Sequence, residues 1–180
     1  MRSIEGILGL VVAALSLAIG ARQGLPWSYA APWAVFIGFL ATNAAFDART
    51  MLLKRSYTLI ALLVFLISVS VARGDDRIGR LGYSLLFALS VTAILGLIAH
   101  FRPQALGLGD AWLAGVLCAW WGYWDPSNLL DFFASTCCIQ TALILALLTV
   151  RVLMRSPPSL HQALPFGPAL VGAGWLVQFA

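Results

Sequence analysis

Residues 82–100 read GYSLLFALSVTAILGLIAH, without a single Lys, Arg, Asp or Glu. A helix needs roughly 20 mostly apolar residues to cross a bilayer core. The run lacks the period-two alternation of a barrel strand. In lipid its backbone groups must bond within the segment, so it is expected to be a helix. Six further stretches read the same way: 4–21, 29–46, 57–72, 107–124, 131–150 and 166–180. The expected fold is all-α: a polytopic transmembrane helical bundle with about seven spans.

The composition agrees. Of 180 residues, 61% are hydrophobic and 10% charged, against about 25% charged in an ordinary soluble domain. There is too little polar surface here to cover a soluble fold. The length suits one membrane domain, residues 1–180. The net charge of +4 is spread over short loops, with no basic cluster interleaved with aromatics, so nucleic acid is not an expected partner. Pro26, Pro32, Pro103, Pro126, Pro157, Pro158, Pro165 and Pro168 are expected at or near loops, where proline ends helices. Cys118, Cys137 and Cys138 lie in apolar stretches. Without CxxC spacing or a paired His they read as small packing residues, not metal ligands.

Orientation follows from basic residues in short loops. With the N-terminus in the cytoplasm, that side holds Arg2, Arg49, Lys54, Arg55, Arg102, Arg151 and Arg155, and the other holds Arg22, Arg73, Arg77 and Arg80. The excess favours a cytoplasmic N-terminus. Trp27, Trp33, Trp120, Trp121 and Trp124 then fall near the opposite-side ends, as interfacial aromatics. Met1–Ala21 also has the look of a signal peptide, with Arg2 as its basic end; Glu5 and the missing A-x-A site argue for a retained helix.

Five of the seven acidic residues read as ordinary. Asp75 and Asp76 share a polar loop with Arg73, Arg77 and Arg80. Asp125 precedes Pro126 in a turn. Asp131 and Glu5 stand at helix starts. Asp47 and Asp110 differ. Asp47 follows the apolar run directly, and Asn43, four residues earlier, shares its helix face. Asp110 lies in Leu106-Gly-Leu-Gly-Asp-Ala-Trp112, and 14 uncharged residues separate it from Asp125. Those residues make about 21 Å of helix, short of a core of about 30 Å. The fifth helix must start upstream, near Gly107, and draw Asp110 towards the hydrocarbon. Acids at such depth are costly and usually functional. Gly107 and Gly109 permit close backbone approach beside Asp110.

Three stretches carry a resemblance: Phe46-Asp-Ala-Arg-Thr50, Gly107-Leu-Gly-Asp-Ala-Trp-Leu113 and Leu164-Pro-Phe-Gly-Pro-Ala-Leu-Val-Gly-Ala-Gly174. In motif, order and spacing they resemble the type IV prepilin peptidases, of the G-x-G-D group of intramembrane aspartic proteases. Pro-Phe-Gly-Pro is the most specific match. The resemblance spans residues 29–180 and leaves 1–28 as an added N-terminal span. It implies that Asp47 and Asp110 are the catalytic pair, and that Gly107, Gly109, Pro165, Phe166, Gly167 and Pro168 shape the site. It also implies an enzyme without metal or cofactor in the bacterial inner membrane, cutting the leader from a prepilin or pseudopilin at the cytoplasmic face. Arg49, Lys54 and Arg55 are candidates for positioning that substrate. The sequence holds no paired CxxC motifs, so no methyltransferase activity is expected.

Two positions depart from the family pattern. Leu53-Lys54-Arg55 stands where Ile-Pro-Asn is usual, and Trp112 where a Lys follows the second Asp. Two other readings therefore stand beside the peptidase: an inactive family member serving in assembly, and a small proton-coupled transporter subunit using the same acids. Helix polarity implies that Asp110, at a helix start, holds the charge of the pair, and Asp47, at a helix end, the proton.

Overall fold

A computed structural model describes residues 3–50, 53–72, 76–101, 106–153 and 166–178. The chain runs through α1 (Ser3–Arg22), α2 (Trp27–Thr50), α3 (Arg55–Val71), α4 (Arg77–Phe101), α5 (Leu108–Trp124), α6 (Asn128–Leu153) and α7 (Gly167–Val177). No strand occurs among the described residues. The all-α bundle matches the apolar runs, each helix ending within a few residues of its run.

Local chemistry sets the breaks. The chain leaves α1 through Gly24, whose φ of 72° lies in the left-handed region that glycine enters without a Cβ penalty. The Pro26 carbonyl then accepts from the Tyr29 and Ala30 N–H groups and opens α2. Asp125 accepts from the Ser127 N–H at 3.2 Å and turns the chain into α6, as its place before proline implies. Pro32 corrects the expectation that prolines mark loops, since it lies inside α2. It stands in the second turn and forfeits a single backbone bond, to the carbonyl four residues back. Membrane helices tolerate such losses where neighbours pack against them.

By length and hydropathy, α1, α2, α4 and α6 are each able to cross a membrane. The other three expected spans are shorter helices: α3 and α5 have 17 residues and α7 has 11. For α5 and α7 the reason lies in packing. Helix α5 is the inner helix, contacting α3, α4, α6 and α7, with 12 of its residues buried. Helix α7 sits against α2, α5 and α6. Enclosed helices answer to their protein neighbours, not to the hydrocarbon thickness. Outer helices such as α4 turn Leu86, Leu89, Ile94 and Leu97 outward.

Away from the two acids the core is aromatic. Trp33, Trp120 and Trp121 are at most 1% exposed. Trp33 packs on Trp120 and Trp121 at centroid distances of 5.1 and 5.3 Å, and Phe36 on Trp120 at 4.6 Å. These rings are not the interfacial belt expected from their positions. Because α5 is enclosed, its indoles meet rings of α2 and α3 instead of headgroups. Trp27 is the exposed one, at 67%.

Small residues bring the helices together, as they do where lipid supplies no hydrophobic drive between helices. A Cβ at Gly115 would run into the Thr92 hydroxyl and sit 3.2 Å from the Ala88 carbonyl, so α4 and α5 touch there. One and two turns on, the Ser84 hydroxyl donates to the Ala119 carbonyl at 2.6 Å. Gly9 and Gly38 do the same for α1 and α2. Gly96, also on α4, has nothing within 4 Å of its Cβ position. Gly115→Val is therefore expected to destabilise the folded protein by about 1–3 kcal/mol through overpacking. Gly96→Ala should leave stability unchanged or raise it by up to about 1 kcal/mol. Reversible unfolding in mixed micelles measures both; equal effects would contradict this packing.

Candidate active site

Three helix ends meet at one end of the bundle: the last turns of α2, the first turn of α5 and the start of α7. Asp47 comes from α2 and is 5% exposed. Asp110 comes from the first turn of α5 and is partly buried. Both line a single cavity of about 560 Å³, within the size range of ligand pockets. They are near enough for the charge of Asp47 to act on Asp110.

Each acid lies against backbone at a helix start. Gly107 caps α5, and its N–H donates to Asp110 Oδ2 at 3.2 Å. The backbone of Gly167, at the start of α7, comes up against the Asp47 carboxylate. A Cβ on Gly167 would sit 3.0 Å from Asp47 Oδ2, so any side chain there would press on the carboxylate. Pro168 follows at the first positions of α7, where no N–H is needed. The Phe166 carbonyl accepts from the Ala169 and Leu170 N–H groups and starts the helix. Thus Asp47, at the end of its own helix, faces the start of another. Helix polarity no longer separates the two acids, and the assignment of charge to Asp110 and proton to Asp47 loses its basis. Asp47 Oδ2 and Asp110 Oδ1 are both buried and have no hydrogen-bond partner among the described residues.

The turn between α2 and α3 fixes the geometry. Asn43 is fully buried one turn before Asp47. Its Oδ1 accepts from the Lys54 N–H at 2.8 Å, and its Nδ2 donates to Thr58 Oγ1 at 3.1 Å. One amide therefore ties α2 to the start of α3. Leu53 fills the junction beside it. A Cβ on Gly109 would lie 2.9 Å from the Leu53 Cβ, and one on Gly167 would lie 3.4 Å from a Leu53 methyl. Leu53 thus keys the turn against both α5 and α7.

The remaining candidates separate. Arg55 is exposed and lines the cavity. The Lys54 ammonium instead lies 4.0 Å from the Phe46 ring centroid and is absent from the lining, a cation–π contact. Arg49 lies in the last turn of α2. Pro165 lies outside the described residues. Leu53, Thr58, Leu59, Leu108 and Trp112 also line the cavity. Sequence reasoning did not assign these five to the site. Leu53 and Trp112 stood out in the sequence only as departures from the family motifs, and nothing in the residue types of Thr58, Leu59 and Leu108 distinguishes them. No cluster of three His, Cys, Asp or Glu residues that could hold a metal occurs among the described residues. Asn43→Ala would strand the buried Lys54 N–H and Thr58 hydroxyl. The expected cost is about 1–3 kcal/mol, read as a lowered unfolding midpoint in detergent; an unchanged midpoint would show that the amide is not the tie.

Comparison with curated proteins and with solved structures gives no match. A family model, that of the type IV leader peptidase family, matches residues 34–154. The matched stretch contains both acids, the turn that Asn43 holds and the whole of α5. It covers two thirds of the chain, and it agrees with the resemblance carried by the sequence motifs. The chain belongs to the type IV leader peptidase family.

Proposed function

We propose that this protein is a membrane-embedded aspartic endopeptidase that removes the leader of a type IV prepilin or pseudopilin at the cytoplasmic face of the inner membrane. One observation carries the reading: Asp47 and Asp110, from distant parts of a peptidase-family chain, line one cavity, and each has a buried oxygen with no hydrogen-bond partner among the described residues. Two carboxylates this close cannot both ionise at low cost, and one shared proton resolves the conflict. The ionised member takes a proton from water, and the water oxygen attacks the scissile carbonyl carbon. The protonated member donates to the carbonyl oxygen. When the tetrahedral intermediate collapses, the C–N bond breaks and a proton passes to the leaving amine. Which acid starts ionised is left to the pair, whose titration is joint.

The setting supports such a substrate. The cavity lies at one end of the bundle, between the first turns of α3 and α5 and beside the last turns of α2. A leader in water joined to an apolar helix in lipid presents its boundary at that level. The excess of Lys and Arg on the same side supports a cytoplasmic placement. A proton relay would be expected to hold its acids near the middle of the membrane, whereas here they lie at helix ends.

Leader removal from a prepilin of the same genome, followed by gel shift, tests the reading. Asp47→Asn and Asp110→Asn are each expected to lower the rate by at least about 10²–10⁴-fold. The double variant should lose little more than either single one, because the two acids act as a unit. Cleavage that survives either change removes the dyad. Multiplying losses in the double variant would mean that the acids work separately.

A further inference from the structure

Helices α3 and α5 both lead away from the acid end, and the cavity lies between their first turns. Deeper in the bundle they close on each other. Phe65 of α3 packs on Trp120 and Tyr123 of α5, with both centroid distances at 6.1 Å. At the open end the rim is Leu59 on α3 with Leu108 and Trp112 on α5, exposed by 61%, 56% and 54%. The floor is Asp47 and Thr58, at 5% and 7%. Leu108 and Trp112 are four positions apart and share one face of α5. Val116, next on that stripe, is already buried. The cleft is therefore shallow: Leu59 and Phe65 are separated by about 9 Å of helix.

A rim of exposed apolar side chains is covered without cost by hydrocarbon or by an apolar helix. The floor needs something else. Its free carboxylate oxygens call for hydrogen-bond donors, and the negative charge of the pair disfavours an acidic group beside them; Arg55, exposed, also lines the cavity. A lipid chain meets the rim and leaves the floor unpaired, at a cost of several kcal/mol per polar group. An apolar helix that unwinds into an uncharged or basic strand at its end meets both. We propose that the α3–α5 cleft is a lateral docking port for the substrate. The apolar helix of the substrate lies against Leu59, Leu108 and Trp112 from the lipid side, and its unwound, non-acidic end crosses Asp47 and Asp110. The port rests on the peptidase reading above and adds the route and the residues that select the substrate. The cleft is closed two turns deeper by Phe65 and Trp120, so only the end of the helix enters.

The test places a benzophenone amino acid at position 59, 112 or, as a lipid-facing control on α4, 89, where Leu89 is 64% exposed. The carrier is Asp110→Asn in vesicles containing a prepilin, so that the substrate stays whole. Irradiation should join positions 59 and 112 to the apolar helix of the prepilin at least about tenfold more than position 89. That excess corresponds to burying one large apolar side chain. Equal yields at all three positions, or adducts to lipid alone, overturn the port. In the otherwise unchanged protein, Trp112→Ala should raise KM about tenfold and leave kcat within about twofold, as expected when uniform binding is lost. A loss confined to kcat contradicts a docking role. Cleavage by the unsubstituted protein without adducts at the cleft sinks the port and leaves the peptidase standing. No cleavage of any prepilin by the unsubstituted protein sinks both.

Discussion

Two buried carboxylates, held apart in sequence and brought to one cavity, are the constraint on which this architecture depends. Burying an ionised carboxylate without a partner is expensive, so the structure must supply donors without supplying a neutralising cation on the floor. It does so with backbone. The Gly107 N–H donates to Asp110, and the start of α7 at Gly167 is set against Asp47. Both glycines stand at helix starts, where unpaired N–H groups are available and the dipole favours negative charge. A lysine in either place would fix the charge state of the pair. Backbone donors leave a proton free to move between the two.

The glycines follow from that constraint. Where α7 starts against Asp47, a side chain at residue 167 would crowd the carboxylate. For α5 to start beside the α2–α3 turn, residue 109 must leave room for Leu53. Far from the site, Gly115 and Ser84 seat α4 against α5, and the aromatic cluster around Trp120 closes α3 onto α5. The rigid aromatic half of the bundle aims the helix starts, and the open half is left for a ligand. Asn43 joins the two halves, since its amide pins the turn that carries Leu53.

Much of this was legible in the sequence, and the parts that were not have physical reasons. The helices could be read because lipid demands long apolar runs, and those runs leave few alternatives. Asp110 could be singled out because the fifth apolar run, read as a span, is too short without it; α5 does take in Asp110, although as an enclosed helix of 17 residues it is not held to the hydrocarbon thickness. Asn43 showed as a polar residue on the face of Asp47, but its partners could not be foreseen, since they depend on the turn conformation. The burial of Trp33, Trp120 and Trp121 was missed because the position of a residue near a helix end does not say whether that helix is enclosed. The approach of α7 to Asp47 was missed for the same reason: helix polarity was judged from each acid's own helix, and the decisive dipole belongs to another. Gly167 entered through the family motif, and the structure supplies its physical reason.

The central claim is that Asp47 and Asp110 meet across one cavity in the folded protein. The direct measurement replaces both with cysteine, in a background whose native cysteines are replaced by serine, and treats membranes with a short bifunctional thiol reagent. The account predicts an intramolecular bridge between positions 47 and 110 that forms in high yield and is lost when the protein is unfolded first. Two cysteines that each react with a monofunctional reagent but never bridge would contradict it.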